Sequence, residues 1–122
     1  MLLNDGIDEI TSLVSGTGGT AWDSSNAYIA VGSDSSSESG SQSGVLNELD
    51  RQPVDSVSNP SSNQIEYEAT FDDGEGDGDW QEWGIVNDSS GGVFLNRRQE
   101  DNGTKVTGHT WTFSVEITFN YS

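Results

Sequence analysis

The residues best suited to chemistry lie in one acidic stretch, Asp72-Asp73-Gly74-Glu75-Gly76-Asp77-Gly78-Asp79. Hard cations take oxygen ligands, and a calcium loop supplies them at alternate positions around a glycine. Counted from Asp73, carboxylates fall at positions one, three, five and seven (Asp73, Glu75, Asp77, Asp79), and Gly78 takes the glycine position. Position twelve, where such a loop carries a bidentate Glu, is Gly84. The match is partial. A solvated acidic loop is the favoured reading, and calcium is the one candidate cofactor. Trp80 and Trp83 follow at the loop's exit. Their rings suit either stacking on a sugar or packing at the start of a strand, and packing is preferred.

Other chemistry is poorly supplied. His109 is the lone histidine, so no histidine pair can be built; it falls on the apolar side of the last strand pattern and reads as a partly buried structural residue. Cysteine is absent, which removes thiolate chemistry, disulfides and Cys-ligated metals. No Gly-x-Ser-x-Gly elbow occurs. Gly16-Thr17-Gly18-Gly19 lacks the Lys-Ser/Thr of a phosphate-cradling loop. With 21 acidic residues, some carboxylate pair will always be spaced for acid–base work, so none is informative. The expectation is a protein that is not an enzyme. Arg51, Arg97 and Arg98 are each expected to pair with a carboxylate.

Those 21 acids face 4 basic residues, a formal net charge of −17. Such a surface repels nucleic-acid phosphate and anionic lipid, so neither is an expected partner. No apolar run approaches the roughly 20 residues of a spanning helix. Met1-Leu2-Leu3 meets Asn4-Asp5 at once, so no signal peptide is expected. Low hydrophobicity with high charge often marks disorder. Here, however, large aromatics alternate with polar residues after Tyr67. An acidic surface of this kind suits a high-salt environment, where a Debye length of about 3 Å at 1 M screens its self-repulsion.

The elements that must position these residues form one predicted domain over residues 1–122. Leu3, Ile7, Ile10 and Val14 share one face of a short helix at residues 2–15, capped by Asn4 or Asp5 and stopped by Gly16. Residues 26–122 read as an antiparallel, jelly-roll-like β-sandwich. Ala27, Ile29 and Val31 mark its first strand, and the Ser/Gly-rich residues 33–44 read as a flexible surface loop. Residues 45–50 suggest a helical turn. Gln52–Ser58 reads as an edge or a strand start because of Pro53. Ile65, Tyr67, Ala69 and Phe71 point one way along a clear strand. Residues 83–87 and 93–97 form a hairpin, and Trp111, Phe113, Val115 and Ile117 mark the last strand.

Several segments also fall in a familiar order. Ala27-Tyr28-Ile29-Ala30-Val31-Gly32 precedes the Ser-rich loop and Leu46-Asn47-Glu48-Leu49-Asp50-Arg51. Ala69-Thr70-Phe71, Glu82-Trp83-Gly84-Ile85-Val86-Asn87 and Gly91-Gly92 through Arg97 follow, and the chain closes with Trp111 to Phe119. The order and spacing resemble small virion structural proteins of tailed viruses, in particular the N-terminal attachment module of tail-collar and tail-fibre proteins. The excess acidity matches a haloarchaeal version. The resemblance implies a non-enzymatic virion component made in the host cytoplasm. It would dock on the tail or baseplate, or at a fibre attachment point, as a symmetric homo-oligomer among other virion proteins. The helix, or Gln52–Ser58, would carry the docking contact. The alternatives are a capsid decoration or turret protein, and a host-surface carbohydrate-binding module using Trp80 and Trp83. Arg51 and Glu82, both in matched segments, are expected to be fold-stabilising anchors, with a mutual pair as one arrangement.

Overall fold

Helix α1 (Asn4–Ser15) lies with a narrow inner face against the chain at residues 94 and 95. Leu3 and Gly6 are buried, and Ile10 and Leu13 pack against the core. Ile7 and Val14, expected on that face, are instead exposed. The face runs through Gly6, whose missing side chain lets the helix touch the backbone of residues 94 and 95. A Cβ there would lie 2.5 Å from the Leu95 carbonyl oxygen. Leu3 occupies the N-cap with no side-chain cap, so neither Asn4 nor Asp5 performs that task. Gly16 ends the helix as expected, in the left-handed conformation at φ 71°. Gly6→Ala improves intrinsic helix propensity by about 1 kcal/mol. It is nevertheless expected to lower the thermal midpoint, since overpacking against backbone costs about 1–3 kcal/mol. Thermal unfolding followed by circular dichroism reads the sign directly.

The computed structural model describes residues 1–122. It is mainly β, with α1 as its one helix. β1 (Tyr28–Gly32), β2 (Glu48–Ser58), β3 (Gln64–Phe71), β5 (Glu82–Val86), β6 (Arg98–Gln99) and β8 (Trp111–Thr118) form one antiparallel sheet in the order β6-β5-β1-β2-β3-β8. β4 (Gly78–Asp79) and β7 (Thr104–Lys105) make a separate small ladder. The large sheet curls. Ile29, Val31, Trp83 and Ile85 from one end share a core with Tyr67, Ala69, Phe71, Val115 and Ile117 from the other. The Trp83 and Phe113 rings lie 6.2 Å apart across the fold. The result is sandwich-like, built from one continuous sheet.

β2 makes the curl. Its first half pairs with β1, through Tyr28↔Pro53 and Ala30↔Arg51, and its second half with β3. Pro53, which has no N–H to give, sits where the strand changes partner, and the register then shifts between Val54 and Ser56. Gln52–Ser58 is therefore not a strand start, but from Val54 on it has β3 as its one strand partner, and its other side is edge-like. Residues 48–50 belong to this strand too, replacing the expected helical turn. β1 is buried along its length apart from Tyr28. Its second face is covered by Leu3, Val86 and Phe94, which with Ala30 form a smaller cluster. No helix is long and apolar enough to cross a membrane.

Candidate functional site

The four carboxylates of the acidic loop do not converge. The Asp77 carboxylate accepts from Lys105 Nζ at 3.0 Å and from Thr107 Oγ1 at 3.0 Å. Asp73 accepts from the Gly108 N–H, Glu75 from the Asp72 N–H, and Asp79 from the Gln81 side chain. No group of three or more acidic, His or Cys side chains is gathered closely enough to hold a metal ion. Of the expected calcium ligands Asp73, Glu75, Asp77 and Asp79, Asp73 and Asp77 pin the loop to residues 105–108, where the β4–β7 pairing brings the two segments together, while Glu75 and Asp79 bond their near neighbours Asp72 and Gln81. Lys105, 1 % exposed, also donates to the Asp72 carbonyl.

Trp80 and Trp83 are core residues, at 0 and 6 % exposure, so neither ring is offered to a sugar. The stacking role falls away. Trp80 is the hub of an aromatic cluster, edge-on to Phe71, Trp111 and Phe113 at centroid distances of 4.9, 5.0 and 5.2 Å. Its Nε1 donates to the Gly76 carbonyl at 2.7 Å, tying the acidic loop to the core. His109 is exposed in the turn before β8, not half-buried on its apolar face.

The buried ionic centre lies elsewhere. Glu82, at the head of β5, has no exposed surface, and neither has Arg97. Arg97 Nε donates to Glu82 Oε1 at 2.8 Å. The same carboxylate accepts backbone N–H bonds from Asp34, Leu46 and Asn47 at 3.0, 2.6 and 2.8 Å. The far end of the guanidinium donates to the Ser36 and Asp34 carbonyls and to the Gln42 side chain. One ion pair thereby holds both ends of residues 33–44, and Glu38 adds bonds to the N-terminal ammonium and the Gln99 N–H. The expected flexible loop is a strap fastened at several points. Gly32 makes the close approach: a Cβ there would meet Glu82 Oε2 at 2.4 Å.

Arg51 does not pair with Glu82. β2 carries it to the other side of β1, where it forms a two-pronged bond to Glu48 at 2.9 and 2.7 Å. Its Nη1 donates to the Asp88 and Gly91 carbonyls at 2.9 and 3.0 Å, and its carbon lies 5.5 Å over the Phe94 ring. It holds the 88–92 turn. Arg51→Ala is expected to cost about 2 kcal/mol, from charge-assisted bonds worth about 1.5–3 kcal/mol each when buried and less when partly exposed. Arg51→Lys should not restore it, since an ammonium cannot span both partners. Urea denaturation in molar salt measures both.

Two latch carboxylates titrate below their ordinary value of 3.8. Hydrogen bonds from Ser36, then the charge of Arg97, hold Asp34 down. The Lys105 bond, then Thr107, holds Asp77 down. A folded-state value below the unfolded one stabilises the fold above the unfolded value and loses that contribution as pH falls through the folded one. The denaturation midpoint should therefore fall on acidification below pH 3.8. Asp77→Asn should show a shallower fall over the same range.

A groove of about 670 Å³ runs along β8. One bank is residues 113–118; the other carries Trp83, Asn96, Arg98 and Glu100. No protein-family model matches the chain, and no curated protein or solved structure matches it either.

Proposed function

We propose that this protein is a non-enzymatic structural component of a tailed-virus particle. It would be arranged in symmetric copies by the particle it docks on, at the tail, baseplate or fibre attachment point. One observation carries the reading. Residues from several of the segments that resemble the tail-collar attachment module, far apart in sequence, meet in one buried clasp. Gly32, Leu46, Asn47, Glu82 and Arg97 are all in it. A pattern whose members converge on holding a strap shut is an architectural pattern, and it supports a module selected for shape. The ordered acidic surface, with each of its cations paired to a carboxylate, supports the high-salt host.

Quantitative mass spectrometry of particles purified at high salt tests this. A fixed small copy number that follows tail symmetry is the expected result. A number that follows capsid surface would instead make the chain a head decoration. Absence from purified particles overturns the virion reading.

A further inference from the structure

β8 pairs with β3 on one side alone. Its register is continuous from Phe71↔Trp111 to Gln64↔Thr118, and the Phe119 N–H bonds to the Asn63 carbonyl in the same phase. In an antiparallel ladder the residues that exchange bonds alternate with those that do not. Trp111, Phe113, Val115 and Ile117 therefore turn their backbone groups to β3. Thr112, Ser114, Glu116 and Thr118 turn theirs outward, and no backbone or side-chain group elsewhere in the chain bonds to them. Edge strands are normally blunted by proline, lysine, a bulge or a covering loop. β8 (WTFSVEIT) has no proline, no lysine and no bulge, and the groove keeps its edge open.

We infer, independently of any place on a particle, that the free edge of β8 is a docking site for an extended segment of another protein that alternates apolar and basic residues. The backbone of that segment would complete the ladder by strand addition. Its apolar side chains would enter the groove along the Phe113, Val115 and Ile117 bank. Its basic side chains would fall on the opposite face, beside an acidic row. Glu66 lies directly opposite Glu116 across the β3–β8 ladder, and Glu68 is the next residue along β3 but one. Like charges placed opposite each other destabilise a sheet. Here they are bridged by nothing more than the Gln64 amide on Glu116 and the Ser114 hydroxyl on Glu68. A cation added beside them relieves that repulsion. A second copy, itself at net charge −17, brings the wrong sign.

The test uses the full chain and a short capped peptide alternating lysine with valine, followed by amide exchange in nuclear magnetic resonance. Binding should slow exchange at the N–H groups of Thr112, Ser114, Glu116 and Thr118. The same peptide N-methylated at every second residue keeps its charge and loses its ladder bonds; it should bind at least about tenfold more weakly. A glutamate–valine peptide should not bind. Ser114→Pro, which blocks the outer edge and leaves the backbone bonds to β3 in place while losing the Ser114 hydroxyl on Glu68, should abolish the effect; should that variant misfold, the peptide comparison on the unaltered chain decides. Equal binding of the methylated peptide, or no slowing along β8, overturns the proposal. So does protection of those amides in the peptide-free protein together with a dimer in sedimentation, which would give the edge to a second copy.

Discussion

Arg97→Ala is expected to remove about 3–5 kcal/mol of unfolding free energy, the usual cost of stranding one member of a buried ion pair. Small domains hold about 5–15 kcal/mol in all, so the variant should be partly unfolded at moderate temperature. The loss has two sources. Glu82 keeps its charge with no cation beside it, and the strap loses the donors that hold its Asp34, Ser36 and Gln42 end. Glu82→Gln should be milder than Glu82→Leu, because an amide oxygen still accepts some of the three backbone N–H bonds from Asp34, Leu46 and Asn47. Replacing both partners with apolar residues often rescues a buried pair. Here it should fail, since those N–H groups would be left buried without an acceptor. Chemical denaturation of the four variants in molar salt gives the ranking. A wild-type midpoint for Arg97→Ala, or full rescue by the apolar double variant, would show that the clasp does not hold the fold.

Trp80→Ala should cost as much or more. Truncating a buried tryptophan removes about 3–5 kcal/mol, and each edge-on aromatic pair adds about 0.5–1.5 kcal/mol. Trp80 makes three such pairs. Its loss also frees the Gly76 carbonyl, so the acidic loop should come away from β7 before the rest unfolds. Trp80→Phe keeps most of the packing but not the hydrogen bond, and should separate the two effects. Near-ultraviolet circular dichroism reports the aromatic cluster, and amide exchange over residues 72–79 reports the loop. Loss of near-ultraviolet signal with unchanged loop exchange would show that the bonds to residues 104–108 hold the loop without Trp80.

Much of the fold was legible where a side chain's polarity reports its direction. β3 and the inner face of β8 follow the alternation of Ile65, Tyr67, Ala69, Phe71 and of Trp111, Phe113, Val115, Ile117. The helix stop at Gly16 was legible because a left-handed end calls for glycine. The helix face was misplaced because its closest contact is Gly6, which contributes nothing to a hydrophobic pattern. The edge character of β2 beyond Pro53 was legible from the proline, but not that the same strand reaches back to Glu48 and changes partner at that residue. The clasp was the main omission: that Arg97 would find a carboxylate was legible, but its partner and its complete burial were not. Charge tells nothing of burial, yet a signal existed. Glu82 heads an apolar run and Arg97 ends another, in a chain with 4 basic residues to spend. The Trp80 and Trp83 packing was correctly preferred, whereas the acidic loop's partners, Lys105 and Thr107, lay too far along the chain for spacing to reveal.

Each positive group is engaged inside the molecule: the N-terminal ammonium with Glu38, Arg51 with Glu48, Arg97 with Glu82, Arg98 with Glu100 and Lys105 with Asp77. Two copies therefore offer each other no unpaired cation, whichever way they are turned. Side by side they behave as like-charged particles that keep their distance, and added salt weakens that spacing without giving either a grip on the other. On the proposed virion reading, charge alone would not hold an array of this protein together, and its geometry would come from the scaffold beneath it.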